Sequence, residues 1–154
     1  MTTSILKHLR PAVAALALLA VSSTAIAQEL HQHTRAGGID IYYGLLPAEV
    51  AARQAAQHDA TPMHGKPRRG DYHLMVGLYD RDGARIEKAE VRASIAELGM
   101  AGTHKPLEPM VVGDTVTFGN HFPMRNPGMY RVTLEIRLPD GARPIEARFD
   151  HRHR

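Results

Sequence analysis

The chain contains no cysteine. That excludes a disulfide staple, a thiolate metal site and a thiolate nucleophile. Other signatures of catalysis are missing as well: there is no G-x-S-x-G, no H-E-x-x-H and no Gly-rich phosphate loop. Ser94 falls in a strand-like stretch with no base beside it, so catalysis is not expected. No apolar run reaches the ~20 residues that a membrane span needs, the longest being Ala12 to Val21. Internal repeats, low-complexity tracts and inter-domain linkers are absent too. What the chain does carry is ten His and seven Met. Imidazole suits Cu, Zn and Fe, and thioether selects Cu(I), so this composition points to a soft or borderline metal in an oxidising compartment.

The short apolar run has the setting of an export leader. Lys7 and Arg10 precede it, and Ser22 to Ala27 supplies small residues, with Ala25 and Ala27 in the A-x-A positions before Gln28. This predicts a periplasmic protein cleaved after Ala27, with 28–154 as a single domain. The leader holds two of the nineteen Lys and Arg and none of the sixteen Asp and Glu. The mature chain is therefore nearly neutral, at seventeen against sixteen, and its basic residues do not imply a nucleic-acid partner. Acids and bases alternate through Arg85-Ile86-Glu87-Lys88-Ala89-Glu90, as on a solvated strand face rather than a phosphate-binding stripe.

The body reads as β. Gln28 to Gly38 is polar and terminal, and is expected to be mobile. Ile39 to Leu46 is the first predicted strand, Pro47 opens a short helix through Gln57, and His58 to Gly70 is a loop. Tyr72 to Tyr79 alternates, with Leu74, Val76 and Leu78 on one face and His73, Met75, Gly77 and Tyr79 on the other. Asp80-Arg81-Asp82-Gly83 signals a tight turn into Arg85 to Glu97, expected as its hairpin partner. Gly99 to Pro109 reads as a connection. Thr115 to Phe122, Met129 to Leu138 and Pro144 to Asp150 follow as strands, with Val116, Phe118, Phe122, Tyr130, Val132, Leu134, Ile136 and Leu138 core-facing. Short alternating strands with turns about every ten residues predict an all-β, immunoglobulin-like β-sandwich of about seven strands with one short helix.

His73 and Met75 lie two apart on one strand and so share its outward side; His121 has the outward side of its own strand, and Met110 stands just before that strand. Two thioethers and two imidazoles brought together there would suit copper. His31-x-His33 and His151-x-His153 are expected to be solvated tails, and Met63-His64 is a loop pair.

Glu108-Pro109-Met110-Val111-Val112-Gly113-Asp114, continuing through Thr117-Phe118-Gly119 to Met124, Gly128 and Tyr130, resembles the periplasmic FetP-type iron-transport accessory proteins. Their pattern is M-P-M-x-x-S-D-G-P-H-Y-G, then a Met and a G-x-Y. Asp71-Tyr72-His73-Leu74-Met75 is similar to their D-I-H-L-E. The resemblance implies an immunoglobulin-like sandwich, often a homodimer, binding copper through His, Met and Glu beside an inner-membrane iron permease. It implies ligand roles for His73 and Met110, puts Met75 where the family has a Glu ligand, and matches Met63 to a Met of the preceding loop. Thr117 departs from the pattern at the H-Y-G histidine, and a late insertion with a further ligand His is missing between Leu138 and Ile145. His121 or His104 would then complete the shell. Met75 in place of Glu would favour Cu(I) over Cu(II) or iron. Three other readings stay open: a divergent branch that has lost its site, a metal-free interaction module using the same outer face, and a general copper chaperone of similar fold.

Overall fold

The computed structural model describes residues 32–57, 66–141 and 143–154. The leader (1–27), His31, Met63 and His64 lie outside the described residues. Eight strands and one helix follow in the order β1 (Gln32–Ala36), β2 (Ile39–Pro47), α1 (Ala48–Gln57), β3 (Asp71–Tyr79), β4 (Glu90–Glu97), β5 (Thr103–Val112), β6 (Thr115–Pro123), β7 (Gly128–Arg137) and β8 (Ile145–His153). All ladders are antiparallel, and the strands form one continuous sheet in the order β1-β2-β3-β6-β5-β4-β7-β8. The two outer strands, β1 and β8, approach each other, so the sheet curls almost into a barrel. Tyr43 of β2 stacks on Phe149 of β8, with ring centroids 3.4 Å apart, across that closure.

The alternation of apolar residues places the core. Ile41, Leu74, Val76, Leu78, Phe118, Phe122, Val132, Leu134 and Ile136 are almost completely shielded and form one cluster inside the curl. Each is a period-two position of its strand, as a half-buried sheet requires. Val116 is only partly buried against this cluster. Helix α1 begins directly after Pro47 and packs against β2 and β3. Its Ala- and Gln-rich sequence has high helix propensity, and Glu49 complements the helix dipole in the first turn.

Four expectations are corrected. First, the polar segment after Gln28 is not a mobile tail where it is described: Gln32–Ala36 pairs with β2, and Asp40 links it, its carboxylate accepting from Arg35 at 2.6 and 3.0 Å and lying 2.6 Å from His33 Nε2. Second, the Asp80 turn forms as expected, with Asp80 Oδ1 accepting from the backbone N–H of Asp82 and Ala84 and Gly83 at φ 79°. Its return arm, however, makes one bridge, Tyr79 to Arg85, and the chain then leaves to form β4, which pairs with β5 and β7. Third, the supposed connection before Pro109 is largely strand β5. Its first half pairs with β4 and its second half with β6, which is what makes the sheet continuous and raises the strand count to eight. Fourth, His151 and His153 are part of β8, and His153 Nδ1 lies 3.0 Å from the Tyr72 hydroxyl.

Candidate metal centre

Three strands bring the candidate side chains together on the outer, convex side of the sheet. In the β3–β6 ladder His73 stands opposite His121 and Met75 opposite Gly119. In the β5–β6 ladder Met110 stands opposite Thr117 and Glu108 opposite Gly119. His73, Met75, His121, Gly119, Thr117, Met110 and Glu108 therefore share one face, the one away from Leu74, Phe118 and Phe122. The two imidazoles meet edge to face, with ring centroids 5.0 Å apart.

Gly119 is the focus of this arrangement. A Cβ there would overlap the Met110 Cε and lie 2.8 Å from His73 Nε2 and 2.9 Å from the Leu74 carbonyl oxygen. The methyl end of Met110 and the Nε2 of His73 thus converge over the one β6 residue on this face without a side chain. Met75 flanks the same position, with Gly44 of β2 on its other side.

His73 faces away from the core as the alternation requires, yet it is only 8% exposed, as is Met110. The outward direction does not leave it open, because Leu46 and His121 flank His73 along its row, at the end of the sheet where α1 leaves β2. The backbone at His121 is held from inside. Lys105 Nζ donates to the His121 carbonyl at 2.6 Å and lies 5.5 Å from the Phe122 ring centroid. Asn120 spans the break where β5 leaves β6, its Nδ2 donating to the Pro106 carbonyl at 2.8 Å and its Oδ1 accepting from the His121 N–H.

His104 does not join this group. It is exposed, lies in the half of β5 that pairs with β4, and stands opposite Ser94. Thr117, at the family's histidine position, is on the right face but presents a hydroxyl, which leans toward the Met110 carbonyl at 3.4 Å. The sequence reading gave two further residues of this face, Gly119 and Glu108, no part in the site. Gly119 stands between two outward positions of an alternating strand. Glu108 could have been found from its spacing of two from Met110, which fixes both on one side once β5 is recognised as a strand.

The donor set can be tested against copper directly. Two imidazoles and two thioethers form a soft-to-borderline set. Among the described residues no three His, Asp or Glu side chains gather into a harder site. The residues present fit copper better than iron, and fit calcium or magnesium poorly.

No protein-family model matches the chain, and no curated protein matches it in sequence. Solved structures do. A copper-bound variant of FetP from uropathogenic Escherichia coli strain F11 superposes with a TM-score of 0.61 at 15% identity, covering 80% of this chain and 96% of FetP. This chain has the FetP fold. Copper-reconstituted P19 from Campylobacter jejuni shares it, with a TM-score of 0.57 at 14% identity over 80% of this chain and 94% of P19. A DUF4426 family protein from Pseudomonas aeruginosa PAO1 gives 0.59 at 16% identity, covering 80% and 94%. At such identity the FetP likeness concerns the arrangement of strands, and any ligand must be argued from the side chains of this chain.

Proposed function

We propose that this protein is a periplasmic copper-binding accessory protein whose site lies on the outer face of β3, β6 and β5. The observation that carries this reading is the convergence of His73 Nε2 and the Met110 thioether arm over Gly119, with His121 and Met75 on either side. FetP and P19, which share the fold, are both known with copper bound. Support for a periplasmic location comes from the Ala25-x-Ala27 leader pattern and from FetP having been expressed in the periplasm. The immunoglobulin-like description of the fold, and a homodimeric state, belong to the same reading.

Copper bound here would supply a redox-active ion in a thioether-rich shell, which favours Cu(I). The chain's own contribution is orientation and exclusion of water. The ladders fix His73, Met75 and His121 on adjacent strands, and the burial of His73 and Met110 keeps solvent from the donor atoms. Imidazole nitrogens must be neutral to bind, so affinity should fall as the histidines protonate. Iron is a weaker fit, because Met75 stands where a carboxylate would favour it. A role in delivering metal to an inner-membrane iron or other metal transporter, by binding rather than catalysis, is the simplest use of such a site.

The test is a Cu(I) competition titration on parent and variants. His73→Ala should abolish stoichiometric binding, whereas His33→Ala should not, because His33 is engaged with Asp40 on edge strand β1, which β2 separates from the candidate ligands. If His73→Ala folds and still binds Cu(I) like the parent, the outer face is better read as a metal-free protein-docking surface.

A further inference from the structure

The same outer face carries a second feature, a groove of about 650 Å³ between β2, β3 and the β5–β6 hairpin. Met75 and Thr117 line one side of it, Tyr42 and Tyr79 the other, and Gly77 and Arg85 lie between them. The Asp80-to-Gly83 turn folds Arg85 back over β3, where a Cβ on Gly77 would sit 3.2 Å from the guanidinium Nη2. Arg85 Nε donates to the Val116 carbonyl at 2.9 Å, Nη1 donates to the Tyr79 hydroxyl, and Cζ lies 4.9 Å from the Tyr79 ring centroid. These contacts fix the guanidinium without neutralising it.

Among the described residues no carboxylate forms an ion pair with Arg85. The one carboxylate lining the groove, Asp40, is already held by Arg35 and His33. Nη2 makes no hydrogen bond to a described residue. A half-buried, immobilised guanidinium with a free donor edge is suited to a planar anion.

We propose that this groove binds a small monocarboxylate, with the carboxylate on Arg85 and the aliphatic part directed toward Met75. Gly77 and Met75 are two residues apart on the same face of β3, a span of ~7 Å, which is the length of a short acyl chain. A monoanion is favoured over phosphate because, among the described residues, Arg85 is the one cation lining the groove. The site stands on Arg85 and the groove, independently of whether copper binds beside it.

The experiment is a titration of the metal-free full chain with acetate, propionate, butyrate, phosphate and chloride at constant ionic strength, followed by amide chemical shifts. Expected are saturable carboxylate binding that moves the Gly77 and Thr117 amides, and affinity rising roughly three- to fourfold per methylene, as burial of a CH₂ predicts. Arg85→Lys should weaken binding by about tenfold, because it keeps the charge but loses the planar fork. Asp40→Asn should tighten it, because Arg35 then loses its counter-charge beside the groove. Arg85→Gln should abolish it in protein whose melting temperature shows it folded, and the other two variants decide the matter if it does not fold. Unchanged butyrate affinity in Arg85→Lys and Asp40→Asn would overturn the proposal. So would phosphate or chloride binding as tightly as butyrate, or the absence of saturable carboxylate binding.

Discussion

Replacing Gly119 with alanine probes the candidate centre through a single methyl group. The residue sits in regular strand, with no left-handed φ to lose, so alanine itself suits the backbone and by propensity alone would help by about 0.5–1 kcal/mol. Against that gain stands overpacking. The new Cβ would overlap the Met110 methyl, which can swing away, but would also lie 2.9 Å from the Leu74 carbonyl, which belongs to the adjacent strand and cannot move alone. Inserting a methyl into a packed position costs about 1–3 kcal/mol. The net expectation is a loss of about 0.5–2 kcal/mol, or ~1–8 °C in melting temperature. The effect on copper should be larger in kind. Met110 and His73 would be pushed apart, and a displaced ligand arm should lower Cu(I) affinity by about 10–100-fold, the range seen when ligand orientation is disturbed. Thermal denaturation and chelator competition on the same preparation separate the two effects. Copper affinity within twofold of the parent, in a variant whose melting temperature has fallen, would refute the claim that Met110 and His73 act on one ion over Gly119.

Met110→Leu conserves volume at a buried position and should cost less than about 1.5 kcal/mol of stability while clearly weakening Cu(I) binding; denaturant melts and copper competition give the two numbers. Phe118→Ala opens the centre of the core and should cost about 3–5 kcal/mol, read as a shift in denaturant midpoint. Asp40 is held below its ordinary value of 3.8, first by the Arg35 hydrogen bonds and then by His33. A lowered carboxyl value stabilises the fold above 3.8, and that contribution is lost as pH falls through the lower folded value. An NMR titration should therefore find the Asp40 midpoint below 3.8, and Asp40→Asn should flatten the acid limb of the stability curve in that window. A midpoint at or above 3.8 would contradict the pairing.

The strands that announce themselves by alternation, such as Leu74/Val76/Leu78 and Val132/Leu134/Ile136, were legible because burial on one face leaves a period-two trace in the sequence. β5 was not legible, since Pro106 and Pro109 interrupt the pattern and the strand changes partners midway, so neither half looks like a complete strand. β1 was hidden by its polar residues, which are tolerated at an edge and are tied down by Asp40 rather than by apolar packing. The outward direction of His73 and Met75 could be read from spacing. Their meeting with Met110 and His121 could not, because it depends on the register between strands far apart in sequence. The burial of His73 depends on what stands beside it on β2 and β6, which a single strand's pattern does not encode.

Among the described residues, β1, β2 and β3 are joined by a ladder to the rest of the sheet at one place, the pairing of β3 with β6. The candidate ligands fall on both sides of that seam: His73 and Met75 come from one, and His121 and Met110 from the other. An ion held there would tie together segments separated by nearly fifty residues, the sort of long-range tether that disulfides provide in many secreted proteins and that a cysteine-free chain must find elsewhere. An ion bound to the native form alone would add about 2.7 kcal/mol at a hundred times its dissociation constant. Opening of the seam would have to wait for the ion to leave, so metal loading would be felt in the lifetime of the folded state. Wherever proteases act on the opened form, that lifetime would decide how long an empty copy persists compared with a loaded one.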